Sequence, residues 1–132
     1  ARPDAALTAD LIAGLPGETA GEHAETLQLA QGVGFARLHV FPYSAREGTP
    51  AAGMPGQVPV AVRKARAGEL RRLGERTRAA FVRSQIGRRA RVLAETDGTG
   101  LTTNYLRLRV PGVPEGELTE VEVAPQTLAD RG

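Results

Sequence analysis

The spacing of apolar residues changes at Gly87, and this change constrains the fold more than any other feature of the sequence. Before Gly87, apolar side chains recur at helical intervals or in short runs bounded by glycine and proline. From residue 88 they occupy every second position, which is typical of short strands in an antiparallel sheet or small barrel. The sequence therefore predicts an α/β part followed by a β part, with the boundary near Gly87.

The α/β part begins with a strand, a helix and a second strand. Residues 8–15 form a short apolar run bounded by proline and glycine, which favours a buried strand. Thr19 and Glu22 then have the spacing of a capping box, which marks the start of a helix. Residues 36–42 form the next apolar run. This order predicts a right-handed βαβ unit with parallel strands.

A loop and a long helix are expected next. Residues 43–59 are rich in proline and glycine, and long loops of this kind in α/β units are often functional. The spacing of the following segment predicts a helix over residues 60–84. Its expected apolar face consists of Val62, Ala65, Leu70, Leu73, Ala80 and Phe81.

Three short strands are expected in the β part, at residues 88–94, 102–110 and 117–124. Turn residues at Asp97-Gly98 and at Gly100 separate the first strand from the second. Alternation along the second strand predicts that its polar residues share one face. These residues are Tyr105, Arg107 and Arg109.

Basic residues are concentrated in the middle of the chain, although the net charge of the whole sequence is only +2. Residues 60–91 contain eleven basic and two acidic residues, which gives a local net charge of +9 between ends of −3 and −4. Such a segment fits a polyanionic partner, and it equally fits a solvated, arginine-rich helix face. The charge pattern alone leaves both interpretations open.

The chain contains no cysteine, which excludes disulfides, thiolate nucleophiles, zinc fingers and iron–sulfur ligation by its own residues. The two histidines, His23 and His39, lack metal-ligand spacing, and we expect His23 to pack within the protein. No apolar run is long enough to span a bilayer, so we expect no membrane partner.

Two segments lie where ligands bind in α/β proteins, after the carboxyl ends of the predicted strands. The first is IAGLPGET at residues 12–19, where glycine would let a ligand approach the backbone; a tight turn without a ligand explains it as well. The second is FPYSAREGTP at residues 41–50, whose aromatic, serine and arginine side chains suit a nucleoside. A loop that packs its own side chains is the alternative for the second segment.

Four segments in order, DLIAGLPGET (10–19), RLHVFPYSAREGTPAA (37–52), QVP (57–59) and GLTTNYLRLRV (100–110), resemble the radical S-adenosylmethionine tRNA methylthiotransferases. The resemblance extends from residue 8 to about residue 125. The second and fourth segments are most similar to the branch that acts on N6-threonylcarbamoyladenosine beside the anticodon. The alternatives are the branches that act on isopentenyladenosine or on a ribosomal protein, and a non-catalytic RNA-binding adaptor.

The resemblance implies that this chain corresponds to the C-terminal part of such an enzyme. Residues 1–59 would be the end of a radical SAM βα barrel, residues 60–86 a basic linking helix, and residues 87–132 a small antiparallel TRAM β-barrel that binds RNA. The family uses S-adenosylmethionine and two [4Fe–4S] clusters. The cluster cysteines would belong to the rest of the enzyme, so the chain alone would be inactive. The implied partners are the remainder of the enzyme and the tRNA anticodon stem-loop, in the cytoplasm.

Matching the family's motifs to this sequence gives three sets of expected site residues. The cofactor set is Ile12, Gly14, Glu18, His39 and Phe41. The substrate set is Tyr43, Ser44, Arg46 and Thr49. The RNA set is Arg89, Arg91, Tyr105, Arg107 and Arg109. We expect the acidic residues of the last strand, Glu117, Glu120 and Glu122, to face away from RNA.

Overall fold

The computed structural model describes residues 5–129. The regular elements are, in chain order, β1 (Thr8–Ala13), α1 (Ala20–Val33), β2 (Arg37–Pro42), α2 (Val60–Gln85), β3 (Arg89–Ala94), β4 (Thr99–Thr102), β5 (Arg107–Arg109) and β6 (Leu118–Glu122). The chain forms two compact units, an N-terminal unit of Leu7–Arg78 and a C-terminal unit that begins at Ala79. None of the described helices is both long enough and apolar enough to cross a bilayer.

Local signals in the sequence fix the ends of α1. The Thr19 Oγ1 atom accepts a hydrogen bond from the Glu22 amide at 3.1 Å, and Glu22 Oε1 accepts one from the Thr19 amide at 3.0 Å. Gly34 adopts a left-handed conformation and ends the helix. Strands β1 and β2 pair in parallel along their whole length. The structure therefore confirms the predicted capping box and the parallel strand–helix–strand order.

One face of the β1–β2 sheet forms the core of the N-terminal unit. Because successive strand residues point to opposite faces, every second side chain of each strand reaches this core. The residues that pack together are Leu11 and Ala13 of β1, Leu38 and Val40 of β2, Leu27 of α1, and Ala67 and Leu70 of α2. Two parallel strands are compatible with a βα barrel, but the barrel that the resemblance implies remains a prediction.

The buried face of α2 differs in part from the predicted one. Ala65 and Ala80 were expected in the apolar face, and both are exposed. Residues at intervals of three and four from Leu70 define the face instead, as helical periodicity requires. The buried residues of α2 are Ala67, Leu70, Leu73, Gly74, Thr77, Arg78, Val82 and Gln85.

The C-terminal unit is a four-stranded antiparallel sheet in the order β5-β4-β3-β6. Its core consists of Val82 from the end of α2 together with Val92, Ala94, Leu106, Leu108, Val110 and Val123. A bridge between Leu108 and Leu128 adds the C-terminal segment to the sheet. This arrangement is compatible with the small antiparallel β-barrel implied by the resemblance.

The predicted strand over residues 102–110 is wrong, because a turn divides it. Tyr105 has a φ angle of 68°, a left-handed conformation that ends the extended backbone. The Thr102 amide donates to the Leu106 carbonyl at 2.8 Å and the Tyr105 amide donates to the Thr102 carbonyl at 3.2 Å, so the chain reverses between β4 and β5. The unit therefore has four strands where the alternation predicted three.

Gly100, expected in a turn, lies inside β4 and is buried. A Cβ atom at this position would lie 2.3 Å from the carbonyl oxygen of Leu93 and 2.4 Å from a methyl carbon of Val92. Glycine therefore lets β4 approach β3 more closely than a larger residue would allow.

Candidate functional site

The second face of the β1–β2 sheet carries several of the expected cofactor residues. Ile12 is paired with Phe41, and Asp10 with His39, so all four side chains share the face opposite the core. Ile12 and Phe41 are 51% and 55% exposed, which is high for large apolar residues within a sheet. The expected residues Ile12, His39 and Phe41 thus lie together on an accessible, partly apolar surface.

A pocket of about 490 Å³ opens at the carboxyl end of these strands. It is lined by Ile12, Phe41, Pro42, Tyr43, Ser44, Arg46, Thr49 and Ala51. The structure therefore brings two of the expected cofactor residues and all four of the expected substrate residues to one pocket. Its volume is within the range of small-molecule sites, which are mostly apolar with a few polar groups.

Gly14 and Glu18 have contacts within the turn that follows β1. Glu18 Oε1 accepts hydrogen bonds from the Gly14 amide at 3.1 Å and from Arg66 Nη1 at 2.9 Å, and both charged side chains are largely buried. A Cβ atom on Gly14 would lie 2.3 Å from the side chain of Arg63. These contacts fix the turn to α2, and they account for both residues without a ligand.

Arg63 holds the two ends of the loop that borders the pocket. Its Nε atom donates to the Val58 carbonyl at 2.7 Å and its Nη1 atom donates to the Tyr43 carbonyl at 2.9 Å. The guanidinium also lies 5.6 Å from the centroid of the Tyr43 ring, which is within cation–π range. One arginine therefore positions an aromatic wall of the pocket.

Within this loop, the Thr49 hydroxyl donates to the Arg46 carbonyl at 2.6 Å and stabilises a turn. The Tyr43 hydroxyl is buried, and it has no hydrogen-bond partner among residues 5–129. A buried hydroxyl in this state is costly unless another group binds it. Tyr43 therefore retains capacity for a further hydrogen bond, whereas Thr49 supports the loop.

His23 is buried on α1, as expected for a packing residue. Its Nε2 atom lies 3.5 Å from Glu69 Oε1 of α2. Across the part of the chain that the structure describes, no three His, Cys, Asp or Glu side chains cluster in a way that could hold a metal ion.

The expected RNA-binding arginines share the outward face of the C-terminal sheet, but two acidic residues lie beside them. Arg89 pairs with Glu122 and Arg91 pairs with Glu120 in the antiparallel register, so the side chains of each pair project to the same face. Arg89 Nε also lies 3.5 Å from Glu120 Oε1. The expectation that Glu120 and Glu122 face away from this surface is therefore wrong. The prediction failed because alternation within one strand shows only the two faces of that strand. It does not show which side chains of the neighbouring strand lie on the same face.

Arg107 and Arg109 lie on the same face and contact acceptors of the chain itself. Arg107 Nη1 donates to Glu95 Oε2 at 2.7 Å and to Thr99 Oγ1 at 3.1 Å. Arg109 Nη1 donates to the Leu128 carbonyl at 2.9 Å. Tyr105 is in the turn and not on the strand, although it is partly exposed. Arg107 and Arg109 therefore already use donors within the chain, whereas Tyr105 is exposed in the turn.

A groove of about 380 Å³ lies next to this surface, and sequence reasoning missed it. Its lining comprises Gln85, Arg88, Arg89, Ala90, Arg91, Thr102, Thr103, Asn104, Leu106, Glu120 and Val123. Arg88 immediately precedes β3, and Thr103 and Asn104 belong to the β4–β5 turn. The "GLT-NY" motif was a signal at this position, but its spacing did not show that a turn would face Arg88.

The basic segment of the sequence serves partly as internal structure. Arg63 and Arg66 donate to acceptors in the N-terminal unit as described above, and Arg71 Nη2 donates to the Val40 carbonyl at 3.0 Å. Their donors therefore stabilise the unit. The count of eleven basic residues in segment 60–91 therefore overstates how many have all their donors available to a polyanion.

One carboxyl group at the edge of the C-terminal sheet has a perturbed pKa. Hydrogen bonds from the Thr99 hydroxyl and the Thr99 amide hold the pKa of Asp97 below its usual value of 3.8, with a smaller contribution from the charge of Arg107. Asp97 is exposed and stabilises the turn before β4.

Comparison with curated proteins finds sequence similarity over most of this chain. Over 98 residues the chain is 47% identical to the tRNA-2-methylthio-N(6)-dimethylallyladenosine synthase of Novosphingobium aromaticivorans. The matched region is 74% of this chain and 22% of the relative, so the chain spans about a fifth of that protein's length. No protein-family model matches the sequence. Over most of its own length, the chain is therefore similar to a part of a tRNA-modifying synthase.

Proposed function

We propose that this chain is part of a tRNA methylthiotransferase, in which its N-terminal unit contributes to a pocket for S-adenosylmethionine and its C-terminal unit binds tRNA. The observation that carries the proposal is the convergence of Ile12, Phe41 and the segment from Tyr43 to Thr49 on one pocket. The family resemblance assigns these residues to cofactor and substrate. The 47% identity to a methylthio-adenosine synthase supports the enzyme family.

The residues of the pocket fit an adenosyl group. Ile12 and Phe41 offer exposed apolar surface on which a purine ring can pack, and the Ser44 hydroxyl supplies a polar group at the border. When bound, one molecule of S-adenosylmethionine would supply the radical for methylthiolation, and a second molecule would supply the methyl group. The residues of this chain would orient it and exclude water.

Iron–sulfur ligation does not fit this chain. Its 132 residues contain no cysteine, and cysteine thiolates are the usual ligands of [4Fe–4S] clusters. Any cluster of the proposed enzyme would therefore be held by residues outside this sequence.

The proposed tRNA substrate is an adenosine that already carries an N6 substituent. The name of the relative gives 2-methylthio-N(6)-dimethylallyladenosine as its product, and its similarity favours N6-dimethylallyladenosine as the substrate of the enzyme that contains this chain. A second candidate is N6-threonylcarbamoyladenosine, which the combination of VFPYS-R-GTPAA and GLT-NY in the sequence favours. Both candidates share the same chemistry at the adenine ring and differ in the N6 substituent.

Mass spectrometry of tRNA nucleosides distinguishes these candidates. In cells that lack the gene encoding this chain, we expect the methylthio form of dimethylallyladenosine to disappear. Dimethylallyladenosine without the methylthio group should accumulate in its place. Loss of the methylthio-threonylcarbamoyl nucleoside would select the second candidate. If neither nucleoside changes, the enzyme proposal is wrong and a binding role becomes the better explanation.

A binding measurement tests the cofactor pocket directly. In the protein that contains this chain, replacing Phe41 by alanine should lower the affinity for S-adenosylmethionine about tenfold, because the purine loses an apolar wall. Equilibrium dialysis measures this affinity. Leu29→Ala is the matched control, since Leu29 is an exposed apolar residue on α1 outside the pocket. Equal affinities for the two variants would remove Phe41 from the site.

A further inference from the structure

The groove of the C-terminal unit has the size and lining of a site for one nucleotide. Its volume of about 380 Å³ lies in the range of small-ligand pockets. Ala90 is half-buried and supplies accessible apolar surface in the groove, whereas Leu106 and Val123 are buried behind the lining as part of the core. A flat base, once it leaves its stack, needs an apolar surface of this kind.

Charge favours an anionic ligand in this groove. Three arginines and one glutamate give the lining a net charge of +2. Glu120 is close to Arg89, at 3.5 Å between the carboxylate and Nε, and this pair is partly neutralised. The guanidinium groups of Arg88 and Arg91 have no hydrogen-bond or ion-pair partner within residues 5–129, so their donors are available to a ligand.

The opposite wall of the groove is held in place by side-chain hydrogen bonds. The Thr102 hydroxyl donates to Asn104 Oδ1, and it accepts a hydrogen bond from the Leu106 amide at 2.9 Å. Asn104 Nδ2 donates to Gln85 Oε1 at 3.3 Å, which joins the β4–β5 turn to the end of α2. Thr103, which lies between Thr102 and Asn104 in the sequence, is exposed and carries a hydroxyl at the border of the groove.

We propose that this groove binds one unstacked nucleotide of a single-stranded RNA segment, with Arg88 and Arg91 on its phosphate and the base against Ala90. The inference rests on the proposed tRNA-binding function and identifies where that binding occurs. Arg107 and Arg109, the arginines that the sequence favoured, have acceptors within the chain and contribute less. The β4–β5 turn is already held in place, and Arg88 and Arg91 have donors without partners among the described residues. Both features reduce the entropy that is lost when the site orders around a ligand.

Fluorescence anisotropy with the whole chain tests the groove. The probes are a labelled single-stranded RNA and an RNA duplex with the same number of phosphates. In the Arg88→Ala plus Arg91→Ala variant, affinity for the single strand should fall about 100-fold, since each charge-assisted phosphate contact contributes about tenfold. The slope of log affinity against log salt should become shallower by about 1.4.

The matched control is the Arg72→Ala plus Arg76→Ala variant, which removes the same charge from exposed positions of α2. We expect its affinity to stay within about threefold of the unsubstituted chain, because long-range charge alone is screened by salt. A third variant, Thr103→Val, should lower the affinity for single-stranded RNA by about threefold and leave the affinity for the duplex unchanged. The substitution removes a hydrogen-bonding group without changing the charge. Circular dichroism and thermal unfolding verify that each variant is folded.

The outcomes distinguish failure of the nucleotide site from failure of the proposed tRNA-binding function. Equal losses in the groove and control variants, with RNA binding otherwise retained, would overturn the nucleotide site and leave the tRNA-binding function intact. A stronger loss in the Arg107→Ala plus Arg109→Ala variant than in the groove variant would do the same. Equal affinity for duplex and single strand would show that no base enters the groove. If the unsubstituted chain binds RNA without salt dependence, or does not bind it, both proposals fail.

Discussion

Arginines of α2 and arginines beside β3 carry the same charge, but they use their hydrogen-bond donors differently. In the N-terminal unit, Arg63 and Arg66 donate to carbonyl and carboxylate groups of that unit. In the C-terminal unit, Arg88 and Arg91 face a groove, and their guanidinium groups have no partner among the described residues. Local charge density therefore does not identify a binding surface by itself. Whether the donors already have acceptors in the folded chain separates structural arginines from those available to a ligand.

The largest effect on stability is expected for Arg66→Ala. The substitution leaves the largely buried Glu18 carboxylate without its cationic partner, which should lower the free energy of unfolding of the N-terminal unit by about 2 to 3 kcal/mol. Urea denaturation measures this change. Arg72→Ala, which removes an exposed arginine from the same helix, should change it by less than about 0.5 kcal/mol. Similar values for the two variants would contradict the structural role assigned to Arg66.

A smaller loss of stability is expected for Arg63→Lys. The guanidinium bonds two carbonyl groups at once, and an ammonium group on a flexible stem cannot reproduce both contacts. The free energy of unfolding should fall by about 1 to 2 kcal/mol, although the charge is unchanged. Full retention of stability in the lysine variant would show that charge, and not geometry, matters at this position.

Glu95→Gln should remove the carboxylate that partly neutralises Arg107. The ion pair is at an exposed position, so the free energy of unfolding should change by less than about 1 kcal/mol. The loss of one negative charge from this face should strengthen RNA binding about twofold at low salt. Anisotropy titrations at two salt concentrations measure this gain. A decrease in affinity would mean that the Glu95–Arg107 pair itself is required for binding.

The smallest effect concerns Asp97. Because its pKa is lowered in the folded state, Asp97 contributes stability above its usual value of 3.8, and that contribution is lost as the pH falls through the lowered value. An asparagine at this position does not titrate. The difference in free energy of unfolding between the unsubstituted chain and Asp97→Asn should therefore shrink on acidification. Parallel urea-denaturation series for the two proteins across the acid range would contradict this role.

The elements with local signals could be predicted from the sequence. The capping box at Thr19 and Glu22, the glycine at the end of α1, and the apolar runs of β1 and β2 are encoded within a few residues of where they act. The pocket residues were reachable for a related reason, since parallel strands end at the same edge of a sheet. Sequence alone therefore sufficed to group Ile12 and Phe41 with the loop that follows β2.

Features that depend on distant partners could not be predicted. Arg66 contacts a glutamate 48 residues earlier, and Arg71 contacts a carbonyl 31 residues earlier, so neither contact leaves a periodic signal. The β4–β5 turn was missed because the alternation of polar and apolar residues continues through Tyr105, whose left-handed backbone conformation no pattern indicated. The positions of Glu120 and Glu122 required the register between β3 and β6.

The contacts of Arg63 have a consequence for how sequences of this kind can diverge. One side chain fixes the carbonyls of Tyr43 and Val58, the two ends of the loop between β2 and α2. Residues between these two anchor points can be added, removed or exchanged at a modest cost in loop-closure entropy, without moving the strand or the helix. This loop borders the pocket through Ser44, Arg46 and Thr49. The fold thus allows the shape of the pocket to change by insertion or deletion in one loop while the scaffold beneath it stays constant.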